Sequence, residues 1–192
     1  MRTGIFVFPD AELLDFCGPY EVFSAANIAC DMPLFEVFTF ASNTLPVKSI
    51  NGLKVVPDFD LKTLPVPEIL ILPGGEGSRR VIADEHLMME INRLISEASY
   101  VFSVCSGARI LAKGGWLKKQ KFTTHHLVFE DVQRLEPTAR ARPYNRFTDN
   151  GKILTSAGVS AGIDVSLYLL EKIHGREVAE KTARYMEYEV KK

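Results

Sequence analysis

YVFSVCSGARILAKGG, residues 100–115, is the stretch on which the fold turns. Tyr100 to Val104 is short, aromatic and β-branched, which predicts a buried strand, whereas Ala108, Ile110, Leu111 and Ala112 favour a helix. Only Cys105, Ser106 and Gly107 separate the two. A cysteine on so sharp a strand-to-helix turn is held out of the sheet, as a serine is in a nucleophile elbow. At a helix N-terminus it would face unpaired backbone N–H groups, which favour thiolate over thiol and could stabilise a developing anion. The same pattern also suits a small buried apolar residue, a common fate for free cysteine.

Working outward, the strands read alike. Gly4 to Phe8 and Glu68 to Leu72 are continuous apolar runs without alternation, the mark of strands covered on both faces. Phe35 to Ala41 and Lys152 to Ser156 are further strands. Helices are expected over Pro19 to Ala26, with Pro19 in the first helical position, and over Asp84 to Glu97. Others are expected after His126, through Ile163 to Ile173, and from Arg176 to Glu189. Val47 to Ile50 and Leu53 to Val56 flank Asn51-Gly52, a hairpin signal at the sheet edge. Phe59 to Pro67 reads as a proline-punctuated connection. This interleaving predicts an α/β three-layer sandwich with a mostly parallel, flavodoxin-like sheet and a small antiparallel hairpin. One domain over 1–192 is expected.

Composition narrows the function classes. A formal charge of -1 gives no electrostatic reason to expect nucleic acid or an anionic membrane as partner. No apolar stretch approaches the roughly 20 residues that span a bilayer. The opening segment reads as a first strand rather than a signal peptide. Cys17, Cys30 and Cys105 are odd in number and far apart, so neither a disulfide framework nor a zinc site is signalled, and a cytoplasmic location fits best. No metal or other cofactor is expected.

Three segments would converge at the carboxyl edge of a parallel sheet: the one after the first strand, the one after Leu72, and the Cys105 turn. In the first, Asp15 can reach into a cleft or merely cap a helix, with Asp10 and Glu12 competing for either role. In the second, Pro73-Gly74-Gly75-Glu76-Gly77 lacks the lysine and hydroxyl of a P-loop and the spacing of a dinucleotide site. Its glycines permit N–H groups to approach a substrate near Cys105, or simply make a turn. His125 and His126 are candidate bases for a cysteine nucleophile, although adjacent residues do not easily face one site. His86 is expected at the surface.

Several motifs together resemble the ThiJ/PfpI superfamily, the class I glutamine amidotransferase-like fold. They are Ile-Phe-Val-Phe-Pro at 5–9, Leu14-Asp15-Phe16-Cys17-Gly18-Pro19, Leu-Pro-Gly-Gly at 72–75, Ser103-Val104-Cys105-Ser106-Gly107, Thr123-Thr124-His125 and Ala161-Gly162-Ile163-Asp164. Ser106, not histidine, follows the cysteine, which is more similar to the isonitrile hydratase-like subgroup and the amidotransferase-like domain of AraC-type regulators than to the peptidases. The resemblance implies Cys105 as nucleophile, Asp15 as its acidic partner, Ser106 beside the nucleophile, and Gly74, Gly75 and Ser106 as oxyanion and substrate-binding positions. His125 is a possible further site residue. It further implies a small-molecule substrate, a homodimer, and hydration of an isonitrile to an N-substituted formamide. Other cysteine-dependent reactions of the superfamily (amidase, peptidase, glyoxalase-like) and redox sensing through Cys105 are the alternatives. His126 and Cys17 depart from the subgroup's usual tryptophan and threonine. With no helix-turn-helix region after Lys192, DNA binding is not expected.

Overall fold

The computed structural model describes residues 1–189, so the last three residues of the expected 1–192 domain lie outside it. The strands are β1 (Arg2–Phe6), β2 (Glu36–Ala41), β3 (Val47–Lys48), β4 (Lys54–Val55), β5 (Phe59–Asp60), β6 (Ile69–Leu72), β7 (Tyr100–Ser103), β8 (Lys121–Phe122), β9 (Arg140–Ala141), β10 (Phe147–Asp149) and β11 (Ile153–Ser156). The helices are α1 (Leu13–Cys30), α2 (Ser78–Ala83), α3 (Glu85–Glu97), α4 (Ala108–Lys113), α5 (Phe129–Leu135), α6 (Ala161–His174) and α7 (Arg176–Tyr185).

The central sheet has the order β10-β11-β7-β6-β1-β2-β5. Every pairing in it is parallel except β10 with β11. The five inner strands follow a flavodoxin-like order, as the runs of doubly covered residues require. Ile69, Leu70, Ile71 and Leu72 are fully buried because helices cover both faces of β6. The helices pack in two groups, α1 with α6 and α7, and α2 with α3 and α4. The Asn51-Gly52 hairpin forms, but β3 and β4 make their own two-stranded antiparallel sheet rather than an extension of the main one.

Two expectations are corrected. Pro19 does not open its helix; α1 begins at Leu13, so Pro19 lies inside it. Pro19 forgoes the N–H bond to the Asp15 carbonyl, and the helix continues because this face is packed closely. A Cβ at Gly18 would stand 3.1 Å from Ile163 of α6, and one at Gly162 would stand 3.4 Å from Pro19. The stretch from Phe59 is not only a connection, since Phe59 and Asp60 pair in parallel with Phe40 and Ala41. Asp84 caps α3 through a bond from the Leu87 N–H (3.0 Å).

Candidate functional site

The ends of β1, β6 and β7 deliver three segments to one edge of the sheet, as their parallel pairing demands. Cys105 follows β7 with φ of 56°, a left-handed conformation that a non-glycine residue adopts only when its surroundings enforce it. They do so from both sides. The Cys105 N–H donates to the Ala157 carbonyl (3.1 Å) and its carbonyl accepts from Thr124 Oγ1 (2.7 Å). Behind it Gly107 passes so near the end of β6 that a Cβ would lie 2.1 Å from the Leu72 carbonyl oxygen. The elbow therefore needs Gly107, and Thr124 of the Thr-Thr-His motif is one of its anchors.

Asp15 lies in the first turn of α1 with no exposed surface. It does not cap that helix. Its Oδ2 accepts from the Gly74 N–H (2.8 Å), and its Oδ1 is buried with no hydrogen-bond partner among the described residues. Asp10, an alternative carboxylate, is turned outward into an exposed pair with Arg80. Glu12 remains at the cleft rim, its backbone N–H held by the Gly74 carbonyl (3.0 Å). The loop after β6 is thus hooked to α1 on both sides of Gly74. A side chain there would stand 2.5 Å from the Ser106 nitrogen and 2.9 Å from Asp15 Oδ2.

Burial is the main cause pushing the Asp15 carboxyl up to about 7; the Gly74 bond opposes it and the Glu12 charge adds to it. Burial likewise leads in pushing the Cys105 thiol up to about 12, with the Asp15 charge second. The backbone N–H groups of Ser106 and Val159 favour thiolate but are outweighed. This runs against the expectation drawn from the helix N-terminus: burial and the Asp15 charge favour thiol over thiolate, and once Asp15 is ionised the proton of the pair rests on sulfur. The thiol in turn helps to hold the neighbouring carboxylate ionised, although no hydrogen bond of ordinary geometry closes onto Oδ1.

The glycine loop and Ser106 are engaged with each other. The Gly75 N–H donates to Ser106 Oγ (2.9 Å), which donates back to the Gly75 carbonyl (3.1 Å). For Gly75 to serve an oxyanion, Ser106 must turn away. His125 and His126 separate as adjacency suggests. Their rings lie 4.2 Å apart, but His125 lines the cleft and His126 is exposed. Burial first, and His126 second, hold His125 below its usual range, so it is a neutral imidazole there. His86 is exposed, as expected.

The cleft over Cys105 encloses about 340 Å³. Beyond Glu12, Gly75, Cys105, Ser106 and His125, it is lined by seven residues that sequence reasoning had not placed there, Ile50, Glu76, Arg79, Arg109, Leu127, Val128 and Val159. An arginine amid the small and apolar residues of α4 was the one available signal, since Arg109 is buried. Among the described residues, no group of three or more His, Cys, Asp or Glu side chains is placed to hold a metal ion.

The chain as a whole has known relatives. Residues 1–172 match the model of the DJ-1/PfpI family. The chain belongs to that family. Isonitrile hydratase from Pseudomonas putida is 31% identical over 189 residues, covering 98% of this chain and 78% of that protein. The HTH-type transcriptional regulator GbdR of Pseudomonas aeruginosa is 24% identical over 97% of this chain but only 50% of its own length. The crystal structure of a THiJ/PfpI family protein from Pseudomonas syringae superposes with a TM-score of 0.88 at 27% identity, covering 100% of this chain and 76% of that one. The family thus includes an enzyme acting on a small molecule and regulators carrying this domain. No helix of the described residues is long and apolar enough to cross a membrane.

Proposed function

We propose that this family member is a cysteine-dependent small-molecule enzyme that hydrates an isonitrile to an N-substituted formamide. The observation that carries the reading is the pairing of Cys105 with a buried carboxylate, Asp15, whose second oxygen is unpartnered. The similarity to isonitrile hydratase supports the substrate class.

In this reading the Cys105 sulfur attacks the terminal carbon of the isonitrile while its proton passes to Asp15. Asp15 delivers that proton to the same carbon, giving a thioimidate in which sulfur, hydrogen and nitrogen share one carbon. Water then adds across the carbon–nitrogen double bond, its hydroxyl to carbon and one proton to nitrogen. The carbon–sulfur bond breaks, the remaining proton of the water returns to the Cys105–Asp15 pair, and the product leaves as the formamide. A thiol held protonated until substrate arrives suits this sequence, because the base that activates it is the acid needed next. The backbone N–H groups of Ser106 and Val159 are the donors at the reacting sulfur, and Gly75, once released by Ser106, adds a third donor to the developing anion.

Infrared loss of the isonitrile band with matching formamide production tests the reading. Inertness of the wild type towards several isonitriles would reject it, and consumption of other electrophiles through Cys105 would move the assignment to another cysteine hydrolase.

A further inference from the structure

Beside the Cys105 cleft three arginines gather around one carboxylate. Asp131 Oδ2 accepts from Arg109 (2.6 Å from Nη2 and 3.1 Å from Nε) and pairs with Arg79 (2.9 Å), while Oδ1 pairs with Arg134. The other acid in contact with the group is Glu76, paired with Arg79 at 2.6 Å. Of the three arginines, Arg79 and Arg109 reach the Cys105 cleft itself, and Arg109 lies inside the protein with its side chain only 4% exposed.

Its donors are not used up. A guanidinium has five N–H groups in a fixed fork. Arg109 spends one from Nε and one from Nη2 on Asp131, and one from Nη1 on Ser78 Oγ (3.0 Å). The remaining N–H groups have no partner among the described residues. They stay available to an acceptor that enters the space Arg109 lines. Arg79 and Arg109 face two spaces at once. They line the Cys105 cleft and also an adjoining pocket of about 220 Å³ bounded by Ile82, Asp131, Arg134 and Leu135. Glu12 and Glu76 also face the cleft, and Glu12 sits at its α1 rim.

We propose that the Cys105 cleft takes a substrate bearing an anionic end, a carboxylate or a phosphate, seated on Arg79 and Arg109. This rests on Cys105 being the reacting group, and it narrows the isonitrile reading to acidic isonitriles. The arginines supply bidentate, charge-assisted hydrogen bonds that recognise such an end. Glu12, a like charge, turns that end away from the α1 side and towards the arginines.

Alkylation of Cys105 tests the site without assuming any natural substrate. Iodoacetate and iodoacetamide react identically, sulfur displacing iodide, and differ in charge alone. The ratio of their rates at Cys105, measured by peptide mass spectrometry and divided by the ratio for glutathione, is expected to favour iodoacetate by about tenfold. Arg79→Gln, an exposed position that leaves the Arg109–Asp131 pair in place, should bring the ratio near one. Protection against alkylation by acetate alone indicates a carboxylate site, and stronger protection by inorganic phosphate a phosphate site. A wild-type ratio equal to that of glutathione and unchanged in Arg79→Gln, or protection by neither anion, overturns the proposal. Turnover of isocyanoacetate against its methyl ester then separates the two claims. If neither is consumed while the alkylation preference holds, the isonitrile reading falls and the anion site stands. If both are consumed at equal kcat/KM, the isonitrile reading stands and the anion site falls.

Discussion

Asp15 Oδ2 and the Gly74 N–H, 59 positions apart in sequence, meet at 2.8 Å inside the protein. That bond fixes the carboxylate beside Cys105 by joining the first turn of α1 to the loop after β6. It satisfies one carboxylate oxygen and leaves the other buried without a partner, so the geometry is costly to the fold and available to a substrate.

The cost is measurable as pH-dependent stability. Asp15 is raised from 3.8 to about 7 in the folded protein. Between those values the unfolded chain has released this proton while the folded one retains it, so folding stability falls as pH rises and levels off above about 7. Asp15→Asn, which keeps an acceptor for Gly74, is expected to stabilise the protein by up to about 4 kcal/mol at pH 8 and by little at pH 4. Urea unfolding at the two pH values checks this; equal shifts at both would show that Asp15 is not held in that state.

Catalysis should depend on the same proton in the opposite sense. Asp15 accepts the thiol proton only when ionised, so kcat/KM is expected to rise with pH through about 7 and then flatten. In Asp15→Asn the activity should drop by about 10² to 10⁴, the usual worth of a general acid–base group. The limb near 7 should disappear with it. A wild-type profile flat from pH 5 to 9 (about two units either side of that value) would contradict this role.

Simple reactivity of the sulfur should move the other way. The Asp15 charge is the second cause, after burial, of the raised thiol. Removing it in Asp15→Asn lowers the thiol towards its ordinary range and is expected to speed alkylation by neutral iodoacetamide at pH 8, while turnover falls. Slower alkylation in the variant would contradict the electrostatic account of the pair.

Gly74 has no room for a methyl group, because the nearest atoms are the Ser106 nitrogen (2.5 Å), the Ser106 hydroxyl (2.6 Å) and the reacting carboxylate itself (2.9 Å). Gly74→Ala is expected to cost about 1–3 kcal/mol, the range for overpacking, and to abolish activity by separating Asp15 from Ser106. Thermal unfolding with a turnover assay checks both; a variant of wild-type stability and rate would show the loop to be slack.

Much of this was legible in the sequence because long doubly buried runs leave no ambiguity. Ile69–Leu72 and Tyr100–Ser103 are strands where the apolar pattern put them, and their parallel pairing necessarily brings Gly74 and Cys105 to one edge. Two-residue strands such as β5, β8 and β9 carry no period to read. Helix α1 runs through Gly18-Pro19 because Ile163 and Gly162 pack against it, a tertiary effect invisible along the chain. The thiol's protonation was misjudged for a similar reason: local N–H groups are written in the sequence, whereas burial and the Asp15 charge arise from the fold. Arg109 escaped notice because its pairing with Asp131 depends on how α4 meets α5.

The central claim is that Cys105 sulfur bonds to the substrate carbon with Asp15 moving the proton. Acid quench of the protein during turnover of an isonitrile, followed by peptide mass spectrometry, addresses it directly. The account predicts an added mass equal to one intact isonitrile on the peptide carrying Cys105, and neither adduct nor formamide with Cys105→Ala. Formamide production by Cys105→Ala at the wild-type rate, or an adduct confined to Cys17 or Cys30, would contradict it.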